Sequence, residues 1–168
     1  MPLNPGELER GFRPIFTNYS TSPAKTAHDI ASVIAMYSSK ATSCGAGHPV
    51  PSAIQAKTVL LEASFTSTFS RLNDIYAYST DFGNFVATFW AGMPFLGGPN
   101  PGIVTLAVPT TLTAGILSIL SANQALCSAG GAVAGDKVAS QYAKMVHFWT
   151  MTVIVTHATV PQCVGPIF

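Results

Sequence analysis

The segment Gly130-Gly131-Ala132-Val133-Ala134-Gly135-Asp136-Lys137 is the one stretch whose spacing invites phosphate chemistry. A phosphate loop cradles phosphoryl oxygens with backbone N–H groups, and it needs lysine directly after its last glycine and then a hydroxyl residue for magnesium. Here Asp136 intervenes, Val138 follows Lys137, and the preceding residues read as helix rather than strand. A carboxylate in that position opposes an anion. The segment is better read as a glycine break before a helix, with Asp136 near the positive end of the helix dipole.

The histidines offer little more. His28 and Asp29 are adjacent, and neighbours on a helix point about 100° apart, so they do not form a base with its orienting carboxylate. His48 lies between glycine and prolines, His147 follows a helical stripe and His157 follows a strand. No two share a metal-ligand spacing such as HxxxH. Cys44, Cys127 and Cys163 are far apart and form no CxxC. An odd count permits one internal and one intermolecular disulfide in an oxidising environment. Glu7, Glu9 and Glu62 make no evident acid/base pair, and there is no Gly-x-Ser-x-Gly. Asn18-Tyr19-Ser20 matches a glycosylation acceptor by chance composition. The opening residues, with Glu7, Glu9 and Arg10 and no apolar run, do not read as a signal peptide. Eight dispersed Lys and Arg residues form no stripe for nucleic acid. The expectation is a chain with no catalytic residues, no cofactor and no metal.

The composition points elsewhere. Charged residues are 9% of the 168, against about 25% in an ordinary domain. Mean hydropathy is +0.38. Asp81 and Asp136 bracket 54 consecutive residues without Lys, Arg, Asp or Glu, and the net charge is +1. Near-zero charge and a poor supply of polar side chains favour association, so either protein or lipid must cover part of this surface. A spanning helix needs about 20 predominantly apolar residues. The windows 103–122, 82–98 and 146–160 are interrupted by Pro109 and Gly115, cut by Pro94, or short and β-branched. Protein cover is the expectation, and a small integral membrane protein, holin-like or a membrane-complex subunit, is the alternative.

Six helices are predicted to carry that surface. Leu8, Phe12 and Phe16 recur every four residues over 6–19, with a kink expected at Pro14. Ser22 and Pro23 start a helix to about 43. After the break at 44–51, Ser52 caps a third over 52–71 through Leu61, Phe65 and Phe69. A fourth spans about 74–91, a fifth runs from Thr110 or Thr111 to about 125, and a sixth covers about 134–149. Residues 103–108 and 151–156 are β-branched and extended, and are expected to pair as two strands with open edges that a neighbouring chain could extend. Residues 157–168 carry Pro161 and Pro166 and read as an extended arm.

The even helices resemble one another. Ala31, Gly83 and Ala139 superimpose, as do Ala35, Ala87 and Ala143, at offsets of 52 and 56 residues. Ile30, Phe82 and Val138 flank the first set, and Ile34, Val86 and Tyr142 the second. Small residues four apart let helices approach closely. The expected fold is therefore mainly α: three helix–loop–helix hairpins (about 6–44, 52–92 and 110–150) packed as one bundle over 1–156, with a small two-stranded β element and the arm at 157–168.

In the segments LERGFRPIF, TAHDIASVIAMYSS, FVATFWAGMPFLGG and MTVIVTHATVPQCVGPIF the chain resembles small bacteriophage virion proteins. The resemblance implies a structural subunit of the tail, baseplate or neck, assembled in the host cytoplasm into the virion as a homo-oligomer or ring beside other virion proteins. It implies no direct contact with nucleic acid, and contact with a membrane only in the alternative reading. The candidate interface residues are Trp90, Phe95, Ile103, Val104, Leu106, Trp149, Val153, Val155, Val160, Cys163 and Phe168. Trp90 and Trp149, each ending a helix, are read first as caps of the core, with an interface anchor as the sharper alternative.

Overall fold

Prolines and short polar side chains set where the helices begin. Pro5, Pro23 and Pro51 each occupy a first helical turn, where a missing N–H costs nothing. Asn4, Ser22 and Asp74 cap three helices by accepting from the amides of Gly6, Lys25 and Tyr76. A computed structural model describes residues 3–18, 22–44, 46–71, 74–98, 100–129, 132–157 and 164–168, with backbone alone at 126–129, 132–133 and 164.

The helices are α1 (Pro5–Thr17), α2 (Pro23–Ser38), α3 (Pro51–Phe69), α4 (Ile75–Trp90), α5 (Thr110–Ala129) and α6 (Ala132–Thr150). Each packs on the next, and α6 returns to pack on α1, so the six close into a ring. The predicted hairpins are α1–α2, α3–α4 and α5–α6. α1 continues through Pro14. α3 starts one residue earlier than expected, at Pro51 after Val50, and Ser52 makes no cap.

The core is aromatic. Tyr142 of α6 meets Phe12 and Phe16 of α1 and Phe82 of α4, at ring separations of 6.2, 4.9 and 5.6 Å. Phe65 of α3 packs on Phe82 and Phe85. The equivalent positions Ile30, Phe82 and Val138 are all buried, as are Ile34, Val86 and Tyr142. Their small neighbours Ala31, Gly83 and Ala139 are buried too.

Glycine permits the tightest helix contacts. A Cβ on Gly11 would stand 2.6 Å from a methyl of Val33 in α2. One on Gly83 would strike Thr113 at the start of α5, and one on Gly135 would strike the backbone of Phe16. Backbone cannot move aside as a side-chain tip can, so Gly135 is the least replaceable of these.

Five strands close one end of the ring. They are β1 (His48–Pro49), β2 (Pro94–Leu96), β3 (Gly102–Leu106), β4 (Ile154–His157) and β5 (Val164–Pro166), antiparallel in the order β1-β2-β3-β4-β5. All follow even helices, so the sheet covers the end at which α2, α4 and α6 finish. The expected pairing of β3 with β4 is present, with Ile103 opposite Thr156 and Val104 opposite Val155. β1, β2 and β5 were not foreseen: two or three residues give no alternation to read.

Residues 164–168 do not form a projecting arm; 158–163 lie outside the described residues. β5 pairs with β4, Ile167 is fully buried, and Phe168 exchanges two backbone hydrogen bonds of 2.9 Å with Thr42. The last residues therefore belong to the chain's own core, and their removal costs folding stability. Both sheet edges are short and carry proline, at Pro49 and Pro166. Such edges discourage added strands. Contact through the face of the sheet fits this geometry better than strand addition.

Candidate interaction surface

Among the described residues the histidines stand apart from one another. Among the described residues, no group of three His, Cys, Asp or Glu side chains is placed to hold a metal. His147 Nδ1 lies 2.6 Å from the Tyr37 hydroxyl, and His157 Nδ1 lies 2.6 Å from the Asn100 carbonyl. His28 meets Glu62 at 3.0 Å, across the α2–α3 contact and largely in solvent. Open grooves of about 390 and 490 Å³ run along the α1–α2 seam and share Gly11, Val33 and Met36. Their rims mix both signs of charge, Glu7 and Asp29 against Arg10, Lys25 and Lys40, with no convergent set.

The Tyr37–His147 pair has a pH consequence. Burial holds the His147 imidazole below its ordinary 6.5. Burial, with Glu7 adding, holds the Tyr37 phenol above 10. The phenol is then the donor and the neutral imidazole the acceptor. As pH falls through 6.5 the unfolded chain takes up the proton first, so this contribution is complete above 6.5 and lost below it. As pH rises past 10 the unfolded chain loses the tyrosine proton first, and stability falls again. Urea midpoints at pH 5.5 and 7.5 check this: the lower-pH midpoint should be smaller, and His147→Asn should narrow the gap.

The sequence-predicted interface residues divide sharply. Trp90, Phe95, Val104, Trp149, Val153 and Val155 are buried inside the chain. Trp149 also donates from Nε1 to the Val108 carbonyl at 2.7 Å, and Trp90 stacks on Phe95. These six seal the bundle against the inner face of the sheet and cannot meet a partner. Alternation along β2–β4 puts every second side chain inward, a choice that composition alone does not reveal. Val160 and Cys163 lie outside the described residues. Ile103, Leu106 and Phe168 are exposed, at 48%, 46% and 42%.

Those three have neighbours that sequence reasoning missed. Leu96 and Val108 are also exposed, so five of the ten large exposed hydrophobics described belong to the sheet end. On the outer face Pro94 stands opposite Ile103, and Ile103 opposite Thr156. The hydroxyls of Thr105 and Thr156 bond each other at 2.8 Å. No residue of β1–β5 or α5 is Lys, Arg, Asp or Glu.

Ion pairs cross four of the six helix seams. Ion pairs cross the α6–α1 seam (Arg13–Asp136), the α1–α2 seam (Lys40–Glu7), the α2–α3 seam (His28–Glu62) and the α3–α4 seam (Arg71–Asp81). Among the described residues no ion pair crosses the two seams of α5. Gly83 and Gly115 mark close approach there, and Asn123 reaches Gln141 at 2.7 Å. At the α4 terminus Lys57 donates to the carbonyls of Thr88 and Ala91, where its charge suits the helix dipole. Ion pairs thus lie on four seams, whereas α5 and the sheet contribute no Lys, Arg, Asp or Glu.

No family model, curated protein or solved structure matches this chain. Among the described residues, no helix is long and apolar enough to cross a membrane.

Proposed function

We propose that this chain is a structural subunit of a phage-like virion, in its tail, baseplate or neck, acting by packing its uncharged side against neighbouring polypeptides. The observation that carries the assembly role is the distribution of charge: four helix seams bear ion pairs, while α5 and the sheet carry no Lys, Arg, Asp or Glu. Water solvates such a surface poorly, and covering it with protein removes apolar area at about 25 cal/mol per Å². Placement in a virion rests on the resemblance of four sequence segments. The helical ring supplies a stiff body, and the blunted strand edges direct contact to the outer sheet face.

An uncharged interface has a distinctive response to salt. Screening weakens contacts between exposed charges and leaves apolar contacts intact. Mass spectrometry of purified particles tests the proposal. The chain should be present in fixed proportion to the other structural proteins and should survive a high-salt wash. Its absence from purified particles, or its release by salt alone, would overturn the reading.

A further inference from the structure

α1 and α2 touch where Gly11 meets the methyls of Val33, and the seam opens on either side of that contact. Toward the sheet end it holds a groove of about 390 Å³ between Glu7, Arg10, Tyr37 and Lys40. Toward the other end a groove of about 490 Å³ runs past Pro14, Ile15, Lys25 and Asp29. Both share Gly11, Val33 and Met36, so they are two arms of one trough. We infer that this trough binds a single-chain amphiphile with a carboxylate head. The head sits on Arg10 and the hydrocarbon tail lies along Gly11, Val33, Met36 and Ile15.

Charge selects the head. Lys25 meets Asp29 at 2.7 Å and Lys40 meets Glu7 at 2.6 Å, so these four charges cancel in pairs. At the far end His28 faces Glu62 of α3 at 3.0 Å. Arg10 is the charge left over. Its Nε donates to the Gly6 carbonyl at 3.3 Å, and among the described residues no carboxylate pairs with its guanidinium. The side chain is exposed, and its planar fork of N–H groups matches a carboxylate.

Shape selects the tail. From Lys25 to Tyr37 the α2 wall is about 18 Å long. Helices in contact lie about 8–10 Å apart, so the trough is too narrow to admit a third helix, about 10–12 Å across. An extended peptide fits the width but brings N–H and C=O groups with it. The backbone groups of both walls are already spent inside α1 and α2, so those of the peptide would go unmet. A hydrocarbon chain has none to satisfy. Gly11 leaves the floor bare, and Met36, 68% exposed, offers a flexible thioether that adapts to an apolar ligand.

Titration calorimetry of the full chain with sodium dodecanoate, kept below the concentration at which it forms micelles, tests the site. Binding should saturate. Dodecyltrimethylammonium, with the same tail and the opposite head, should bind at least about tenfold more weakly. Butanoate, which keeps the head and lacks the tail, should not saturate. Arg10→Gln should lower dodecanoate affinity about tenfold, and Met36→Gln about fivefold. Lys144→Gln removes an exposed cation on α6, outside the trough, and should leave affinity unchanged. All three positions are exposed, so Tm should stay near the wild-type value and lost affinity reports the site rather than the fold. Equal binding of the two heads, an Arg10→Gln variant that binds like wild type, or no saturable binding overturns the assignment. A photo-cross-linker at position 36 that joins another polypeptide in purified particles would give the trough to a protein partner and overturn it as well.

Discussion

Tyr142→Ala should lower stability by about 4 kcal/mol and Tm by roughly 10 °C, the largest loss expected from a single side chain. The ring is fully buried and touches Phe12 and Phe16 on α1 and Phe82 on α4. It therefore joins the last helix both to the first and to the middle hairpin. Its removal opens a cavity at the point where the helical ring closes, and rigid neighbours on two helices cannot collapse into it. Tyr142→Phe keeps the rings in contact and loses only the buried hydroxyl. That variant should cost about 1 kcal/mol. Thermal and urea unfolding of the three proteins would decide it. Equal losses for Ala and Phe would place the energy in the hydroxyl and contradict an aromatic hub.

Ile103→Lys combined with Leu106→Lys should leave the fold in place and abolish association. Both side chains are about half exposed on β3, and lysine can lay its stem along the sheet while its ammonium stays in water. Tm should therefore move by no more than a few degrees. Against a neighbour, two ammonium groups would be buried without partners, at about 3–5 kcal/mol for an uncompensated charge. Affinity should fall at least a hundredfold. Met36→Lys, on the ionic side and 68% exposed, is the control and should change nothing. Incorporation of the double variant at wild-type level would remove the sheet face from the account.

The helices were legible because four-residue spacing, N-terminal prolines and capping side chains act locally. Leu8 and Phe12, or Phe65 and Phe69, announce a buried stripe without reference to the rest of the chain. The small residues at Ala31, Gly83 and Ala139 were legible as a repeated pattern, and the structure finds all three buried at helix contacts. The sheet was legible only where two runs were long enough to alternate. β1, β2 and β5 are defined by the partners beside them, and the burial of Ile167 depends on the whole sheet being present. Proline in the tail read as a sign of an unpaired arm, whereas Pro166 occupies an edge position that needs no donor. The candidate surface was half legible. Absence of charge is a property of the sequence and pointed to the side without ion pairs, but which apolar residues face outward follows from strand register. Trp90 and Trp149 illustrate the point: each has the chemistry of an interface anchor, and each is consumed by the seal between bundle and sheet.

Hydroxyl-radical footprinting of the chain, free and within purified particles, tests the central claim most directly. Ile103, Leu106 and Phe168 should be labelled in the free chain and protected in the particle, while Met36 on the ionic side stays equally labelled in both. Full labelling of Ile103, Leu106 and Phe168 inside the particle, or a chain that persists in its native setting as a monomer with these residues in water, would contradict it.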